Sequence, residues 1–207
     1  LEWGDDENVI WKTKVPGRGH ASPLILKEKV FLTTAEKTDQ TQSVICFDRK
    51  DGKILWASEV NQGGWPERMH PKNTHATSTI ATDGRSLFAV FCHHNNIHLV
   101  ALNFEGRVLW KKDVGAYSPA YPFGYGSTPI VDGTRVIVTN ENQVKSAIVA
   151  YDTTTGNELW RIDRTGVSSY STPVVAEVAG RRQLLISGGG KVASYDPETG
   201  DSIWTTQ

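Results

Sequence analysis

Apolar residues along this chain recur with a period of two, in short runs bounded by Gly, Pro, Asn, Asp and Ser. That alternation belongs to β-strands, whose successive side chains point to opposite faces. Helical periodicity is absent throughout, so the predicted fold class is all-β. Residues 127–131, 135–139, 147–152 and 158–162 read as four consecutive strands, and the same order of signals recurs before and after them. The first strand of a set follows a small-residue start: Ala21-Ser22-Pro23, Ser127-Thr128-Pro129 or Ser171-Thr172-Pro173, with Ser78-Thr79-Ile80 as the variant. Proline suits the start of a strand, where its missing N–H breaks no ladder bond. The second strand is rich in Val with Phe or Leu, the third leads into an Asp turn, and the fourth carries a tryptophan.

The third and fourth strands form the clearest repeat, Ala150-Tyr151-Asp152-Thr153-Thr154-Thr155-Gly156-Asn157-Glu158-Leu159-Trp160. Other copies end at Trp56, Trp110 and Trp204. A glycine stands four residues before each tryptophan, at Gly52, Gly106, Gly156 and Gly200, where the turn needs a residue of positive φ. Asp48, Asp152 and Asp196 stand eight residues before theirs, whereas Asn103 stands seven before Trp110, so that turn is one residue shorter. Counted from Trp11, the tryptophan spacings are 45, 54, 50 and 44 residues. A period of this size with strand signals inside it marks the blades of a β-propeller. The expectation is a propeller segment of four-stranded antiparallel blades, forming one domain over 1–207 with blades at about 20–60, 74–114, 125–163 and 170–207.

The pattern A-x-D-x-x-T-G-x-x-x-W, complete at 150–160 and nearly so at 194–204, resembles the blade signature of the PQQ-like (quinoprotein-type) β-propeller repeats. The resemblance covers the whole chain. It implies that each tryptophan docks against the signature turn of the neighbouring blade, making Trp56, Trp110, Trp160 and Trp204 a structural girdle. Each ring would bury roughly 150 to 250 Å², worth about 4 to 6 kcal/mol as an upper bound. Replacing Trp65, outside the repeat, is expected to cost far less than replacing Trp110 or Trp160. The resemblance further implies a complete propeller of seven or eight blades, of which four are present, and a periplasmic or extracellular bacterial location.

Composition narrows the function classes. The formal charge is −1 and no basic run exists, so no nucleic-acid partner is expected, and Lys111-Lys112 and Arg181-Arg182 read as solvated edges. No stretch approaches the ~18 apolar residues of a membrane span. Cys46 and Cys92 lie in apolar runs of different units and read as separate buried thiols. The opening Leu1-Glu2-Trp3, without methionine, reads as processed or trimmed. Residues 9–15 read as an orphan tryptophan strand with no blade of its own. Four blades plus an unmatched strand suggest part of a larger propeller, or a chain that meets a protein partner or a copy of itself through open propeller ends.

In an up-and-down blade, successive connections alternate between the two faces of the disc. The connections between blades therefore share a face with the hairpins joining second to third strands, and the Asp-Gly turns occupy the other. Long, unusual connections collect on the first face: a polar insertion at 61–73, a histidine-rich tip at 92–98 and an aromatic, proline-rich stretch at 117–125. Long loops in compact domains are commonly functional. The binding-face candidates are Arg18, His20, Trp65, Arg68, His70, His75, His93, His94, Tyr117, Tyr121, Tyr125 and Tyr170.

Five of the six histidines fall in unit two, which invites a metal reading. The spacing argues against it: His93 and His94 on an extended strand would point to opposite sides, and Glu67, in a mobile-looking loop, is the only carboxylate nearby in sequence. No G-x-S-x-G elbow and no phosphate-binding G-x-x-x-x-G-K-[ST] loop is present. The resemblance offers two functions. One is a quinoprotein dehydrogenase holding pyrroloquinoline quinone and calcium, with a catalytic Asp and, in the alcohol dehydrogenases, an adjacent cysteine pair. No Cys-Cys pair occurs here, and no Asp or Glu of this chain matches the calcium and base positions. The other is a non-catalytic platform whose loops bind a protein. The sequence thus favours the platform, with no catalytic residues, no metal and no cofactor, and keeps the quinone-and-calcium oxidoreductase as the alternative.

Overall fold

The computed structural model describes residues 1–207 except Leu1, Trp3, Asp5, Asp6, Thr165, Val167 and Gln207. Its strands form four sheets. The first contains β1 (Leu24–Leu26), β2 (Lys29–Glu36), β3 (Thr41–Asp48) and β4 (Ile54–Gln62). The second contains β5 (Ala81–Thr82), β6 (Leu87–His93), β7 (Asn96–Leu102) and β8 (Val108–Ala116). The third contains β9 (Ile130–Asp132), β10 (Arg135–Asn140), β11 (Ser146–Asp152) and β12 (Glu158–Arg164). The fourth contains β13 (Val174–Val178), β14 (Arg181–Gly188), β15 (Lys191–Tyr195) and β16 (Ser202–Thr206). Each sheet is antiparallel in chain order, the pattern of a propeller blade.

The core lies between blades. Phe31, Val44 and Cys46 of the first meet Leu87, Ala89, Phe91 and Val100 of the second. Phe88, Val90, Ile97 and Leu99, on the second blade's other face, meet Val136, Val138, Val149 and Tyr151 of the third. Ile137, Ile148 and Ala150 then meet Leu184, Ile186 and Ala193 of the fourth. Because the middle strands are covered on both sides, they read as continuous apolar runs, while β4, β8 and β12 alternate toward solvent. Both cysteines are free and buried, on different blades.

Two sets of contacts hold neighbouring blades together. On the outer side, tryptophan indoles sit on the next turn. Trp56 Nε1 donates to the Phe104 carbonyl at 3.0 Å, Trp110 to Thr153 at 3.2 Å and Trp160 to Pro197 at 3.3 Å. The turn glycine serves twice. Gly156 has φ +68°, and a Cβ there would lie 2.7 Å from the Trp110 ring, so the turn needs both the left-handed backbone and the missing side chain. Asp152 closes that turn by accepting from the N–H groups of Thr154 and Thr155 and from the Thr155 hydroxyl.

On the inner side the contacts are hydroxyl bonds. Backbone N–H groups of Ser22, Thr79 and Thr128 donate to the hydroxyls of Thr79, Thr128 and Thr172 in the following blade, at 3.0 to 3.2 Å. Ser78 and Ser127 hydroxyls donate to the carbonyls of Ser127 and Ser171 at 2.8 and 2.9 Å. This relay explains why the first strands are shorter than the sequence pattern suggests. Residues 127–129 lie outside β9 because they bond across blades, and Pro129 has no N–H to give a ladder.

Residues 9–15 form no strand, contrary to the sequence expectation: among the described residues no strand exchanges ladder bonds with them. Their burial still alternates, with Val9, Trp11, Thr13 and Val15 turned inward and Ile10, Lys12 and Lys14 exposed. Side chains hold the segment: Trp11 Nε1 donates to the Arg49 carbonyl at 2.8 Å, and the Thr13 hydroxyl to Gly52 at 2.7 Å. Val15 packs on Val30, Ile45 and Phe47. Trp204 differs from the other repeat tryptophans. It is 38% exposed and donates to Gln183 Oε1 within its own blade at 2.9 Å.

The contrast sets a stability test. Replacing Trp110 or Trp160 with alanine is expected to cost about 3 to 5 kcal/mol, and Trp204→Ala about 1 kcal/mol. Gly156→Ala, which strains φ and pushes into the Trp110 ring, is expected to cost on the order of 2 kcal/mol. Urea titrations give the comparison. A Trp204 cost equal to that of Trp160 would overturn the account of interlocked blades.

Candidate functional site

The two long blade connections meet on one face of the molecule. The first, after β4, is stitched to the tips of its neighbours: Gly63 N–H donates to Gln40 at 2.9 Å, and His94 N–H donates to Gly64 at 2.7 Å. The second, after β8, is anchored by Tyr117 N–H on Asn95 at 2.7 Å and by the Tyr117 hydroxyl on Gly124 at 3.0 Å. The connections then bond to each other, His70 N–H to the Pro122 carbonyl at 2.6 Å and the Asn73 amide to the Phe123 carbonyl. The 61–73 insertion is therefore a braced ridge. Backbone groups of Gly63, Gly64, His70 and Asn73 hold its shape.

Two clefts flank that ridge and share Trp65, Pro66, Glu67 and Met69 as a common wall. The larger, of about 850 Å³, lies toward the third blade, with Tyr117, Tyr125, Cys92, Arg68 and His94 in its lining. Burial pushes the Tyr117 and Tyr125 phenols well above their usual range, so both stay neutral hydrogen-bonding groups. The Cys92 thiol is pushed up to about 12 by burial, which removes it as a nucleophile at neutral pH. The second cleft, of about 670 Å³, lies toward the first blade and takes Arg18, Lys37, Gln40, His70 and His75 into its walls.

Trp65 is half-buried and stacks on His75 with ring centroids 3.8 Å apart. It also packs against the core between the first two blades. Truncating it therefore removes packing against the core as well as loop contacts. Trp65 Nε1 and His75 Nδ1 are both buried without a hydrogen-bond partner. Burial lowers His75 to about 4, so the imidazole is neutral near pH 7.

The histidine tip departs from the extended-strand expectation. His94 and Asn95 have φ of 49° and 55°, the two-residue turn that reverses a hairpin, so the strand ends at His93. That turn brings the His93 and His94 rings to 4.3 Å, edge to face, where an extended strand would separate them. His93 Nε2 lies 3.1 Å from the Gln62 carbonyl, and the His94 ring covers Gly64, where a Cβ would come within 2.7 Å of it. These rings clamp the insertion to the blade tip. Among the described residues no group of three or more His, Cys, Asp or Glu side chains is placed to hold a metal.

Tyr121, Phe123 and Tyr170 form an aromatic rim, with centroids 5.4 and 5.8 Å apart and exposures of 61%, 46% and 38%. His70 meets Phe123 edge-on at 5.9 Å. The site thus gathers Trp65, Arg68, His94, Tyr117 and Tyr125 at the larger cleft and Arg18, Trp65, His70 and His75 at the smaller, with Tyr121 and Tyr170 on the rim. His20 is exposed where its N–H crosses to Ala76, and His93 faces Gln62. Sequence reasoning missed Lys37, Met69, Cys92 and Phe123. Phe123 had a local signal, a proline-aromatic-glycine run inside the long connection. Met69 and Cys92 lie inside the insertion and the histidine-rich tip without a signal of their own, whereas Lys37 lies outside every such stretch and arrives through strand pairing.

Four stacked four-stranded sheets with this turn signature define a propeller of PQQ-like repeats. The model of the family described as outer membrane protein assembly factor BamB matches residues 3–116 and 40–207, and the chain belongs to that family. A curated relative, quinohemoprotein alcohol dehydrogenase ADH IIB of Pseudomonas putida, is 28% identical over 171 residues, covering 75% of this chain and 24% of that one. The chain thus spans about a quarter of that relative's length. BamB from Moraxella catarrhalis superposes with a TM-score of 0.62 at 15% identity, over 96% of this chain and 54% of that one. Quinohemoprotein alcohol dehydrogenase ADHIIG from Pseudomonas putida HK5 superposes with a TM-score of 0.70 at 14% identity, over 97% and 36%. At these identities the superpositions show a shared fold.

The depressed histidines make stability pH-dependent. His75 is lowered by burial, as are His93 and His98, the last two also by nearby cationic groups. Their contribution is complete above the unfolded value near 6.5 and falls as the unfolded chain takes up protons that the fold refuses. Between pH 6.5 and about 4, the His75 shift is expected to remove on the order of 2 kcal/mol, discounted for the ring's partial exposure. Urea midpoints at pH 7 and 4.5 test this. The His75→Gln variant should narrow the gap between them.

Proposed function

We propose that this chain works as a non-catalytic, exported propeller platform that binds a protein through the face carrying the two clefts. The observation that carries this reading is the aromatic rim of Tyr121, Phe123 and Tyr170 on the cross-braced connections. Exposed aromatic groups on a rigid support are the usual anchors of protein interfaces, because they bury large area at small entropic cost. Membership in a family described by outer-membrane assembly supports both the platform role and an exported location.

The oxidoreductase alternative is favoured by the quinohemoprotein name of the 28% identical relative. Calcium takes six to eight oxygen ligands, mostly carboxylate and carbonyl, whereas the larger cleft brings one carboxylate, Glu67, which is exposed on the ridge. That donor set does not fit a calcium-bound quinone, and no chemical step is assigned through one.

Two measurements test the reading. Replacing Tyr121 and Phe123 together by alanine is expected to lower capture of the native partner at least tenfold while leaving the melting temperature within a few degrees. Wild-type capture by the double variant would remove the rim from the interface. Incubation with pyrroloquinoline quinone and calcium is expected to give no dye reduction with simple alcohols or sugars. Reduction abolished by chelating calcium would establish the oxidoreductase reading instead.

A further inference from the structure

The segment Gly17-Arg18-Gly19 is held more tightly than its exposure requires. Arg18 N–H donates to the Ala35 carbonyl at 2.9 Å and Ala35 N–H returns the bond to Arg18 at 3.0 Å, an isolated bridge at the end of β2. Both flanking glycines are at close approach. A Cβ at Gly17 would lie 2.7 Å from the Ala35 oxygen, and one at Gly19 2.6 Å from the Thr33 oxygen. The next residue, His20, is fixed by its N–H on Ala76 at 2.9 Å. The backbone beneath Arg18 is therefore pinned on both sides, yet its guanidinium has no hydrogen bond or ion pair among the described residues. The same is true of the Lys37 ammonium, on the neighbouring tip.

Both cations line the 670 Å³ cleft. The charged and titratable groups facing it are Arg18, Lys37, Glu67, His70 and His75, so the Arg18 and Lys37 cations face one carboxylate, with the two imidazoles beside them. A locally positive hollow on a chain of formal charge −1 selects its occupant by charge. The far wall supplies the Trp65 indole and Met69, apolar surface for an aliphatic stem. The ridge that separates this cleft from the larger one is shared by both, so an occupant engaging both hollows must be extended.

We propose that the cleft between Arg18, Lys37 and Trp65 receives an acidic, extended peptide segment of a protein partner, with Arg18 as the carboxylate anchor. The proposal rests on the platform reading and specifies the chemistry of its partner. A guanidinium offers a planar fork matched to a carboxylate, and pinning its backbone beforehand lowers the entropy lost on binding. Lys37 contributes a second, less directional charge.

The test uses the full chain and two fluorescein-labelled ten-residue peptides, one rich in Glu and one rich in Lys, read by anisotropy. The Glu peptide is expected to bind and the Lys peptide not, with affinity falling as salt rises from about 50 to about 500 mM. Arg18→Gln is expected to weaken binding about tenfold and Lys37→Gln a few-fold. Arg18→Lys should recover part of the loss, and Arg85→Gln, on the opposite face, should change nothing. Melting temperature and circular dichroism check that each variant is folded, and Lys37→Gln tests the cleft without touching the glycine-pinched arm. No binding of the Glu peptide, binding unaffected by both Arg18→Gln and Lys37→Gln, or full displacement by succinate at the same affinity would each overturn the proposal. Rim-dependent capture of the native partner with no Glu-peptide binding would overturn this inference and leave the platform standing.

Discussion

The structure depends on one interlock, the indole of one blade laid on the glycine turn of the next. The contact has three parts that must coincide: a left-handed backbone at the glycine, no Cβ under the ring, and a turn carbonyl in reach of the indole N–H. Trp11, Trp56, Trp110 and Trp160 meet all three conditions. Residues 9–15 show that the interlock is separable from the sheet. They have no ladder, yet Trp11 still finds Arg49 and Gly52. The side-chain contact therefore places the segment where backbone pairing does not.

The interlock acts at the outer edge of each blade and the hydroxyl relay at the inner edge. Pinning a sheet at both edges fixes its angle to the next, while the apolar middle supplies the driving force without a preferred angle of its own. Positioning of the loops follows. The ends of β4 and β8 are held in register through the blades, so the connections leaving them start from fixed points and can brace each other at His70 and Pro122. The bracing of the face that carries the two clefts is inherited from contacts at the edges of the blades.

The fold was readable because its rules repeat. A tryptophan, a glycine four residues earlier and an Asp or Asn before that recur at constant phase, and even the one-residue shortening at Asn103 appears in the structure as a tighter turn, with Gly106 N–H on Asn103. The Ser-Thr-Pro starts were equally regular, but they expressed hydroxyl bonds between blades rather than the ends of ladders. The site was half readable. Tyr117, Tyr125, Trp65 and His94 announced themselves by lying in long connections or at a tip, whereas Lys37 joins them through tertiary placement alone. The His93-His94 pair was misread because two positive φ values end the strand one residue earlier than the apolar pattern indicates.

Polar groups left over from folding mark where the two faces of the ridge differ. Deep between the third and fourth blades, Arg164 donates from Nε to Glu141 at 2.6 Å and from Nη1 to the Tyr195 hydroxyl at 2.8 Å, while Glu141 Oε2 is buried without a partner. Such a buried pair fixes geometry more than it adds stability, since its desolvation offsets most of the attraction. At the ridge Trp65 Nε1 and His75 Nδ1 are likewise buried without partners, and His75 borders a void of about 10 Å³ that Thr74 and Tyr125 also line. A void of that size admits roughly one water. Unsatisfied polar atoms in an otherwise paired structure are tolerated where something other than stability sets the sequence. Trp65 stands in the wall shared by both clefts and His75 in that of the smaller one, ring stacked on ring, so two of these atoms meet at the ridge that the blades support.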